Sequence, residues 1–160
     1  MISTEHIVGR TPLVVRRRVK FGECDPAGVV YTVNFAEYVI SAAELFYASI
    51  FSSTPQRAKE QLGFGTPTRA LELDFRSALW PDDEFDLTVT VVDIRTHTYV
   101  LEIAARTLEG EDVFRATLTP ICVGNGKRQA IAIPAPFRNA LEQYRLACLQ
   151  TTGAGQIEQV

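Results

Sequence analysis

The sequence predicts an α+β fold in which an antiparallel sheet of about five strands wraps around one long central helix. Residues 33–51 have helical periodicity and are apolar on nearly every side. Their polar positions form one narrow stripe of Asn34, Glu37, Ser41 and Glu44. Most of the chain after this helix alternates apolar and polar residues, as half-buried strands do. Because a helix this apolar must be covered on most sides, we expect a curved sheet to enclose it.

The chain before the helix is predicted to contain one strand. Residues 1–12 are expected to form a loose N-terminal arm, and residues 13–21, LVVRRRVKF, a first strand rich in β-branched residues. The basic run Arg16–Arg18, with Lys20, lies within this strand pattern. We interpret the run as a solvated strand face, since the net charge of −3 gives no overall attraction to nucleic acid.

A tight loop at residues 22–28 joins this strand to the long helix. Pro26 disfavours the helical conformation of Asp25, and Gly28 permits a second sharp bend. An Asp in a loop that leads into a helix N-terminus lies where catalysis is possible. On the residues alone, however, a turn-forming role of Asp25 is favoured, because Asp is a standard turn residue. Glu23 lies two residues earlier, and we expect it to be an exposed loop carboxylate.

The long helix is followed by a second, shorter one. Thr32 or Asn34 is expected to cap the start of the long helix. Residues 52–63 are predicted to contain the short, exposed helix. A Ser-Ser-Thr cluster and Pro55 mark its start, and Gly63 marks its end.

The sheet is predicted to come mainly from the middle of the chain. In the first of these segments Leu71, Leu73 and Phe75 alternate with charged residues, which is typical of a long half-buried strand. Pro120 lies within the fourth segment and favours an edge position or a bulge there. The predicted strands cover residues 66–79, 84–95, 97–107 and 113–124, with a short last strand at 127–134.

The end of the chain is predicted to form a helix at residues 136–149, and residues 150–160 are expected to be a flexible tail. Neither an internal repeat nor a linker is visible in the sequence. We therefore expect residues 1–160 to form a single domain.

Composition limits the classes of protein and of site. The apolar runs are too short to span a bilayer, and the N-terminus lacks an apolar signal core, so we expect a soluble, cytoplasmic protein with no membrane partner. The three cysteines Cys24, Cys122 and Cys148 are widely spaced and are interpreted as free thiols. His6 and His97 are the two histidines of the chain, which counts against a multi-His metal site and against most His-based triads.

Residues 21–35, FGECDPAGVVYTVNF, carry a resemblance to a known family. They resemble the F-G-D-C-D-P-A-G-[IV]-V-x-Y-x-N-Y signature of the 4-hydroxybenzoyl-CoA thioesterase family, which has the hot-dog fold. Further matches are Gly65-Thr66-Pro67, the D-D…L-T-V pattern of residues 82–89 and the N-G…I-x-[IV]-P pattern of residues 125–134. The resemblance covers residues 13–140, and it implies hydrolysis of an aromatic, hydroxybenzoyl-like, or short acyl-CoA thioester.

The resemblance implies that Asp25 is the catalytic carboxylate, and it reverses the preference for a turn role. Asp25 is expected either to attack the thioester carbonyl or to act as general base on water. The family's polarising backbone N–H falls at Thr32, at the start of the helix, where an oxyanion is stabilised. This chain departs from the pattern there, since the family has Tyr or His at that position. A backbone donor survives a change of side chain, so Thr32 is retained as the oxyanion donor.

The resemblance also implies a substrate pocket. Gly28, Tyr31, Asn34 and Glu37 are predicted to line it. Glu37 shares the polar stripe of the helix with Glu44, and a solvent-facing role for both remains an equal alternative.

Three cations are predicted to bind coenzyme A. Arg95 stands where the family has the first of two arginines that hold the nucleotide phosphate, whereas Thr96 replaces the second. Lys127 and Arg128 lie in a turn where the family makes another contact. An ordinary charged turn remains an open interpretation for all three cations.

Two other functions stay open. One is a hot-dog dehydratase or hydratase acting on a 3-hydroxyacyl thioester, and the other is a non-catalytic acyl-ligand binding protein. The absence of histidine from residues 21–35 disfavours the first, and the intact Asp25 loop disfavours the second. No cofactor is expected, because coenzyme A is part of the substrate. Family members pair through a sheet edge, so we expect a homodimer or homotetramer.

Overall fold

The structure is a computed structural model that describes residues 3–157. Its helices and long strands follow the order predicted from the sequence, and one strand is added at the start. The helices are α1 (Thr32–Phe51), α2 (Pro55–Leu62) and α3 (Ala135–Ile157). The strands are β1 (Glu5–Arg10), β2 (Leu13–Arg18), β3 (Phe64–Gly65), β4 (Thr68–Phe75), β5 (Glu84–Ile94), β6 (Tyr99–Thr107), β7 (Asp112–Pro120) and β8 (Val123–Gly124).

Six of the strands form one antiparallel sheet in the order β1-β2-β5-β6-β7-β4. Its register places apolar residues on one face, as the alternation in the sequence predicts. One row across the sheet shows this: Leu87 pairs with Val15 on one side and with Ala105 on the other, and all three are buried. The opposite face carries charged pairs such as Arg16 with Asp86, whose two hydrogen bonds measure 2.8 and 2.9 Å.

Helix α1 lies across the apolar face and contacts strands from both halves of the sheet. Phe35 packs edge-on against Phe75 of β4 and Phe114 of β7, with ring centroids 5.1 and 5.3 Å apart. One turn later, Tyr38 packs against Phe85 of β5. The predicted α+β architecture, with an antiparallel sheet around a long apolar helix, is therefore confirmed.

Helix α3 covers the rest of the apolar face because its buried residues recur at helical spacing. Phe137, Leu141 and Tyr144 are buried on one side of it. The hydroxyl of Tyr144 accepts a hydrogen bond from the backbone N–H of Leu13 and donates one to the carbonyl of Val89. This hydroxyl therefore ties α3 to β2 and β5.

The two chain ends differ from their predicted structure. Residues 5–10, predicted as part of a loose arm, form β1, because Ile7 pairs with Val15 and adds to the apolar face. Helix α3 continues to Ile157 and so includes part of the predicted flexible tail. Residues 158–160 of that tail lie outside the described residues.

Local signals in the rest of the chain were partly misleading. Neither Thr32 nor Asn34 caps α1, since the N-cap is Tyr31 and no side chain bonds there. The predicted last strand at 127–134 is wrong, because only an isolated bridge from Val123 to Ala130 forms. Pro120 ends β7, which is an internal strand, so the edge position predicted for it is wrong. The alternative prediction of a bulge is confirmed, because the register shifts in β4 next to Thr68, the residue that pairs with Pro120.

Candidate active site

The loop that carries Asp25 is a tight turn closed by its own hydrogen bonds. The Asp25 N–H donates to the carbonyl of Val29, and the Asp25 carbonyl accepts from the N–H of Gly28, both at 2.9 Å. The carboxylate Oδ1 accepts from the N–H of Ala27 at 2.8 Å. Asp25 thus does take the turn role favoured by the residues alone, but only one of its two oxygens is used. Its side chain is partly exposed, so the other oxygen can meet a substrate.

The backbone conformation favours glycine at position 28. Its φ of 88° lies in the left-handed region, which strains other residues. A Cβ built there would make an ordinary van der Waals contact with the ring of Trp80 at 3.5 Å, so this ring lies beside the loop. The neighbouring N–H of Val30 donates to the carbonyl of Leu79 at 2.9 Å. The Asp25 loop therefore rests against the turn that precedes β5.

The start of α1 offers backbone donors beside this loop. Thr32 is the first helical residue, and the N–H groups of a first helical turn have no acceptor within the helix. No side chain caps the helix at Tyr31, so no capping oxygen compensates the partial positive charge at its N-terminus. Such a terminus stabilises negative charge on a nearby oxygen. This is the arrangement that an oxyanion intermediate needs.

A cavity of about 320 Å³ opens beside Thr32. Its walls come from the start of α1 and from the end of β4 with the segment that follows. The lining residues are Val29, Val30, Thr32, Phe35, Phe75, Arg76, Ser77 and Ala78. The size lies at the lower end of the range for small-molecule sites, and the aromatic pair of Phe35 and Phe75 forms one wall.

Residues around Asp25 include a buried ion pair that the sequence did not indicate. Glu23, predicted to be an exposed loop carboxylate, is 8% exposed. It pairs with Arg17, which is 7% exposed, at 2.6 Å. The interpretation of the basic run as a solvated face is therefore wrong for Arg17, because this residue shares the apolar face of β2 with Leu13 and Val15.

The ionisable groups near the loop favour a carboxylate over a thiolate as the reactive group. Burial, followed by the negative charges of Glu23, Asp25 and Asp83, raises the pKa of the Cys24 thiol. Burial and the carboxylate of Glu23 likewise raise the pKa of Tyr38. Cys24 and Tyr38 are therefore neutral at pH 7, which leaves Asp25 as the candidate nucleophile or base.

Within a single chain, the residues predicted to line the substrate pocket do not line the cavity beside Thr32. Asn34 donates its side-chain amide to the carbonyl of Glu23 at 2.7 Å, which ties α1 to the Asp25 loop. Tyr31 is 52% exposed, and Glu37 is exposed on the same helix. None of these three residues, nor Gly28, lines the 320 Å³ cavity of a single chain. Their role in substrate binding stays a prediction.

The three predicted coenzyme A ligands lie at the other end of the sheet. Arg95 follows the last residue of β5, whereas the Asp25 loop packs against the turn before its first residue. Eleven residues of strand separate these ends by about 30 Å. Lys127 and Arg128 are on the Arg95 side, because their turn is closed by a bond from the Gly124 N–H to the carbonyl of Gln129, and the Cys122 N–H just before it bonds the carbonyl of His97. One chain therefore does not bring the three cations to Asp25.

Sequence reasoning missed a fourth cation beside Arg95. Arg138 of α3 donates a hydrogen bond to the backbone carbonyl of Arg95. The Arg95 side chain itself pairs with Asp93 at 2.8 Å. The sequence predicted that Arg138 lies on the C-terminal helix beside Phe137. It gave no indication that the Arg138 side chain would reach the end of β5.

Two further observations concern metals and membranes. Within residues 3–157, no cluster of three or more His, Cys, Asp or Glu side chains has an arrangement that would hold a metal ion. Over the same residues, each helix is too short or too polar to cross a bilayer.

Comparison with known proteins agrees with this architecture. A family model described as "Thioesterase-like superfamily" matches residues 19–141. The 4-hydroxybenzoyl-CoA thioesterase of Pseudomonas sp. (strain CBS-3) is 25% identical over 132 residues, which cover 78% of this chain and 94% of that protein.

Solved structures show the same fold. The 1,4-dihydroxy-2-naphthoyl-CoA thioesterase of Synechocystis superposes with a TM-score of 0.73 at 22% identity, covering 80% of this chain and 93% of that one. A gentisyl-coenzyme A thioesterase gives a TM-score of 0.71 at 20% identity, over 80% of this chain and 98% of the other.

Proposed function

Because this chain belongs to the Thioesterase-like superfamily, we propose that it is a thioester hydrolase that converts an aromatic acyl-CoA to the free acid and coenzyme A. The membership confirms the resemblance carried by residues 21–35, and the hot-dog fold is confirmed with it. One observation supports the activity most directly. The Asp25 carboxylate lies on a turn that is hydrogen-bonded to the N-terminus of α1, so a carboxylate and a set of backbone donors adjoin each other.

In the proposed reaction Asp25 begins the attack on the thioester carbonyl. Either its carboxylate adds to the carbonyl carbon, or it takes a proton from a water molecule that adds instead. Both routes place negative charge on the carbonyl oxygen, and the Thr32 N–H at the start of α1 stabilises that charge. The C–S bond then breaks and coenzyme A leaves as its thiolate. In the first route, water afterwards hydrolyses the mixed anhydride and restores Asp25.

The 320 Å³ cavity is the proposed site of the acyl group. It adjoins Thr32, so an acyl group bound there presents its carbonyl to the helix terminus. Phe35 and Phe75 meet edge to face, and the exposed face of such a pair suits a planar ring. This favours an aroyl group over a short alkyl group. A panel of benzoyl-, hydroxybenzoyl-, naphthoyl- and acetyl-CoA, followed by release of free thiol, tests the proposal, and cleavage of none of them would overturn it.

Replacing Phe75 with Ala is expected to lower kcat/KM for benzoyl-CoA about tenfold, the scale of one lost aromatic contact. The same change should alter hydrolysis of acetyl-CoA little, because an acetyl group is too small to reach the ring. Leu146→Ala serves as the control, since Leu146 is an exposed apolar residue of α3 outside the cavity. Equal losses for both esters would show that the cavity does not select the acyl group.

A second copy of the chain supplies the missing coenzyme A contacts in this proposal. Strand β4 is at an edge of the sheet, and Phe75 at its end is 46% exposed. If two β4 edges pair antiparallel about a two-fold axis, the Asp25 end of one chain meets the Arg95 end of the other. Arg95, Lys127 and Arg128 of each copy then bind the coenzyme A phosphates at the Asp25 loop of its partner. The proposed assembly is a homodimer, or a homotetramer of two such dimers.

The alternative functions have less support from the site. A dehydratase or hydratase needs a histidine at the reacting carbon, but His6 lies on β1 and His97 follows β5 at the far end of the sheet. A purely ligand-binding role explains the Asp25 oxygen that bonds the N–H of Ala27, but it gives no role to the second oxygen of this partly exposed carboxylate. Water is the only co-reactant of the proposed hydrolysis, so no cofactor is required. The three free thiols agree with a cytoplasmic location, which we include in the proposal.

A further inference from the structure

We propose that Glu23 and Arg17 are positioning residues that hold the Asp25 loop and the oxyanion donors of α1 in a fixed relation. The inference rests on the proposed hydrolase function and adds two residues that neither touch the substrate nor line the cavity. It concerns a buried ion pair on the apolar face of the sheet, where charged residues are rare.

Glu23 is hydrogen-bonded to the start of α1 and lies two residues before Asp25 in the chain, so it connects both parts of the proposed catalytic machinery. Its backbone carbonyl accepts the N–H of Tyr31 at 2.9 Å and the side-chain amide of Asn34 at 2.7 Å. These two residues flank Thr32, the proposed oxyanion donor. Asp25 follows Glu23 by two residues. A displacement of the Glu23 backbone therefore changes the position of the carboxylate relative to the helix terminus.

The Glu23 side chain holds the Glu23 backbone in place through hydrogen bonds to Arg17 and Lys20. Its Oε2 accepts from Nη2 of Arg17 at 2.6 Å, and its Oε1 accepts from the backbone N–H of Lys20 at 2.7 Å. Both carboxylate oxygens are thus engaged by groups at the end of β2. Charge-assisted hydrogen bonds of this length are among the strongest in proteins.

Arg17 is itself held by two further elements, β1 and α1. Its Nη1 donates to Glu5 of β1 at 3.1 Å, and its guanidinium lies 5.0 Å from the ring centroid of Tyr38 of α1. Glu5 in turn accepts from the hydroxyl of Ser41, one turn further along α1, at 2.8 Å. The N-terminal strand β1 therefore supports the active site through Glu5 and Arg17.

A purely stabilising role does not explain this arrangement well. Removing two charges from water is costly, and well-packed apolar residues often stabilise a fold equally well in place of a buried ion pair. An apolar pair would lack the directional hydrogen bonds that the two carboxylate oxygens of Glu23 accept. The location of the pair, two residues from Asp25, makes precise placement of the loop its distinctive contribution.

The first test is Glu23→Gln, which keeps the size of the side chain but removes its charge. Misplacement of catalytic groups by about 1 Å costs about a hundredfold in rate, so we expect kcat for benzoyl-CoA to fall by about ten- to a hundredfold with KM nearly unchanged. The assay is run well below the measured Tm of every variant, so that loss of folded protein does not contribute. The double variant Glu23→Gln/Arg17→Met should lose no more than Glu23→Gln alone, because both residues act through one pair.

A matched control is available on the same strand. Arg16 neighbours Arg17 but points to the opposite face, where it forms its two hydrogen bonds with Asp86. Asp86→Asn removes the carboxylate from the pair of Arg16 and Asp86, which lies one position along the sheet from Arg17. Its kcat should stay within about twofold of wild type, as expected for a surface ion pair.

A spectroscopic test reports on the oxyanion donors without turnover. Benzoyl-CoA labelled with ¹³C at the carbonyl is bound to the inactive Asp25→Asn variant, with and without Glu23→Gln, and its carbonyl stretch is recorded by infrared difference spectroscopy. Donors aligned with the oxygen lower the stretching frequency. We expect Glu23→Gln to shift the band back towards that of the free ester, and an unchanged band would contradict the inference.

The outcomes separate the inference from the function on which it rests. If wild type cleaves aroyl-CoA esters and Asp25→Asn does not, the proposed function holds. If Glu23→Gln then keeps wild-type kcat, or loses Tm without losing kcat, the positioning role is wrong while the function stands. If wild type cleaves no ester, the function fails and the positioning role fails with it.

Discussion

Replacing Asp25 with Asn is expected to lower kcat for a cleavable aroyl-CoA by about a thousandfold or more, the loss seen when a nucleophile or general base is removed. Asn is close to Asp in size, and its side-chain oxygen can still accept from the N–H of Ala27, as Oδ1 does. The turn should therefore keep its shape while the reactive charge disappears. The measurement is thiol release at saturating substrate, together with the Tm and the binding of benzoyl-CoA by calorimetry.

Asp82→Asn is the control for this experiment. Asp82 lies in the turn before β5, is exposed, and pairs with Arg18 at 2.9 Å. Its φ of 69° is a conformation that Asn tolerates about as well as Asp. We expect kcat to change little. Full activity in Asp25→Asn, with the control also unchanged, would exclude Asp25 from the chemistry.

Mixing two inactive variants is expected to restore activity, if each site combines residues of two chains. One variant is Asp25→Asn. The other carries Arg95→Ala, Lys127→Ala and Arg128→Ala, and is assayed at low substrate concentration, where coenzyme A binding limits the rate. In an equal mixture of chains half of the dimers are mixed, and each of these has one intact site, so recovery to about a quarter of wild type is expected.

This recovery depends on geometry that a single chain cannot provide. Arg95 and Asp25 lie at opposite ends of β5, so a site contained within one chain would include none of the three cations. In that case the triple variant alone would keep normal activity. Co-expression of the two variants ensures that the chains mix, and sedimentation shows whether dimers form. Dimers that mix without regaining activity would contradict the shared site.

The sequence predicted the parts of the fold that follow from local periodicity. The polar stripe on residues 33–51 was visible because only one side of α1 faces away from the sheet and α3. The strands β4, β5, β6 and β7 were predicted for the same reason, since one face of each is apolar. The Asp25 loop was identified by a turn signal together with a family resemblance, and the turn signal alone favoured a structural role.

Long-range pairing accounts for what the sequence did not indicate. Charged residues such as Arg17 and Glu23 are normally exposed, and their burial depends on finding each other on the inner face of the sheet. Strand β1 was missed because its inward positions are Glu5, Ile7 and Gly9, of which only Ile7 is large and apolar. Glu5 is tolerated at an inward position because it pairs with Arg17. The cations of the far end were assigned by resemblance, without information on their distance from Asp25.

The contact between Gly28 and Trp80 gives the protein a built-in optical reporter. Trp80 is the one tryptophan of the sequence, its ring rests on the Asp25 loop, and 54% of its surface is exposed. Indole emission depends on how much water surrounds the ring. Because no other tryptophan contributes a background, titration with benzoyl-CoA or coenzyme A would change the emission wavelength only through this ring. Fluorescence can therefore follow occupancy of the loop in real time, without a label and independently of turnover.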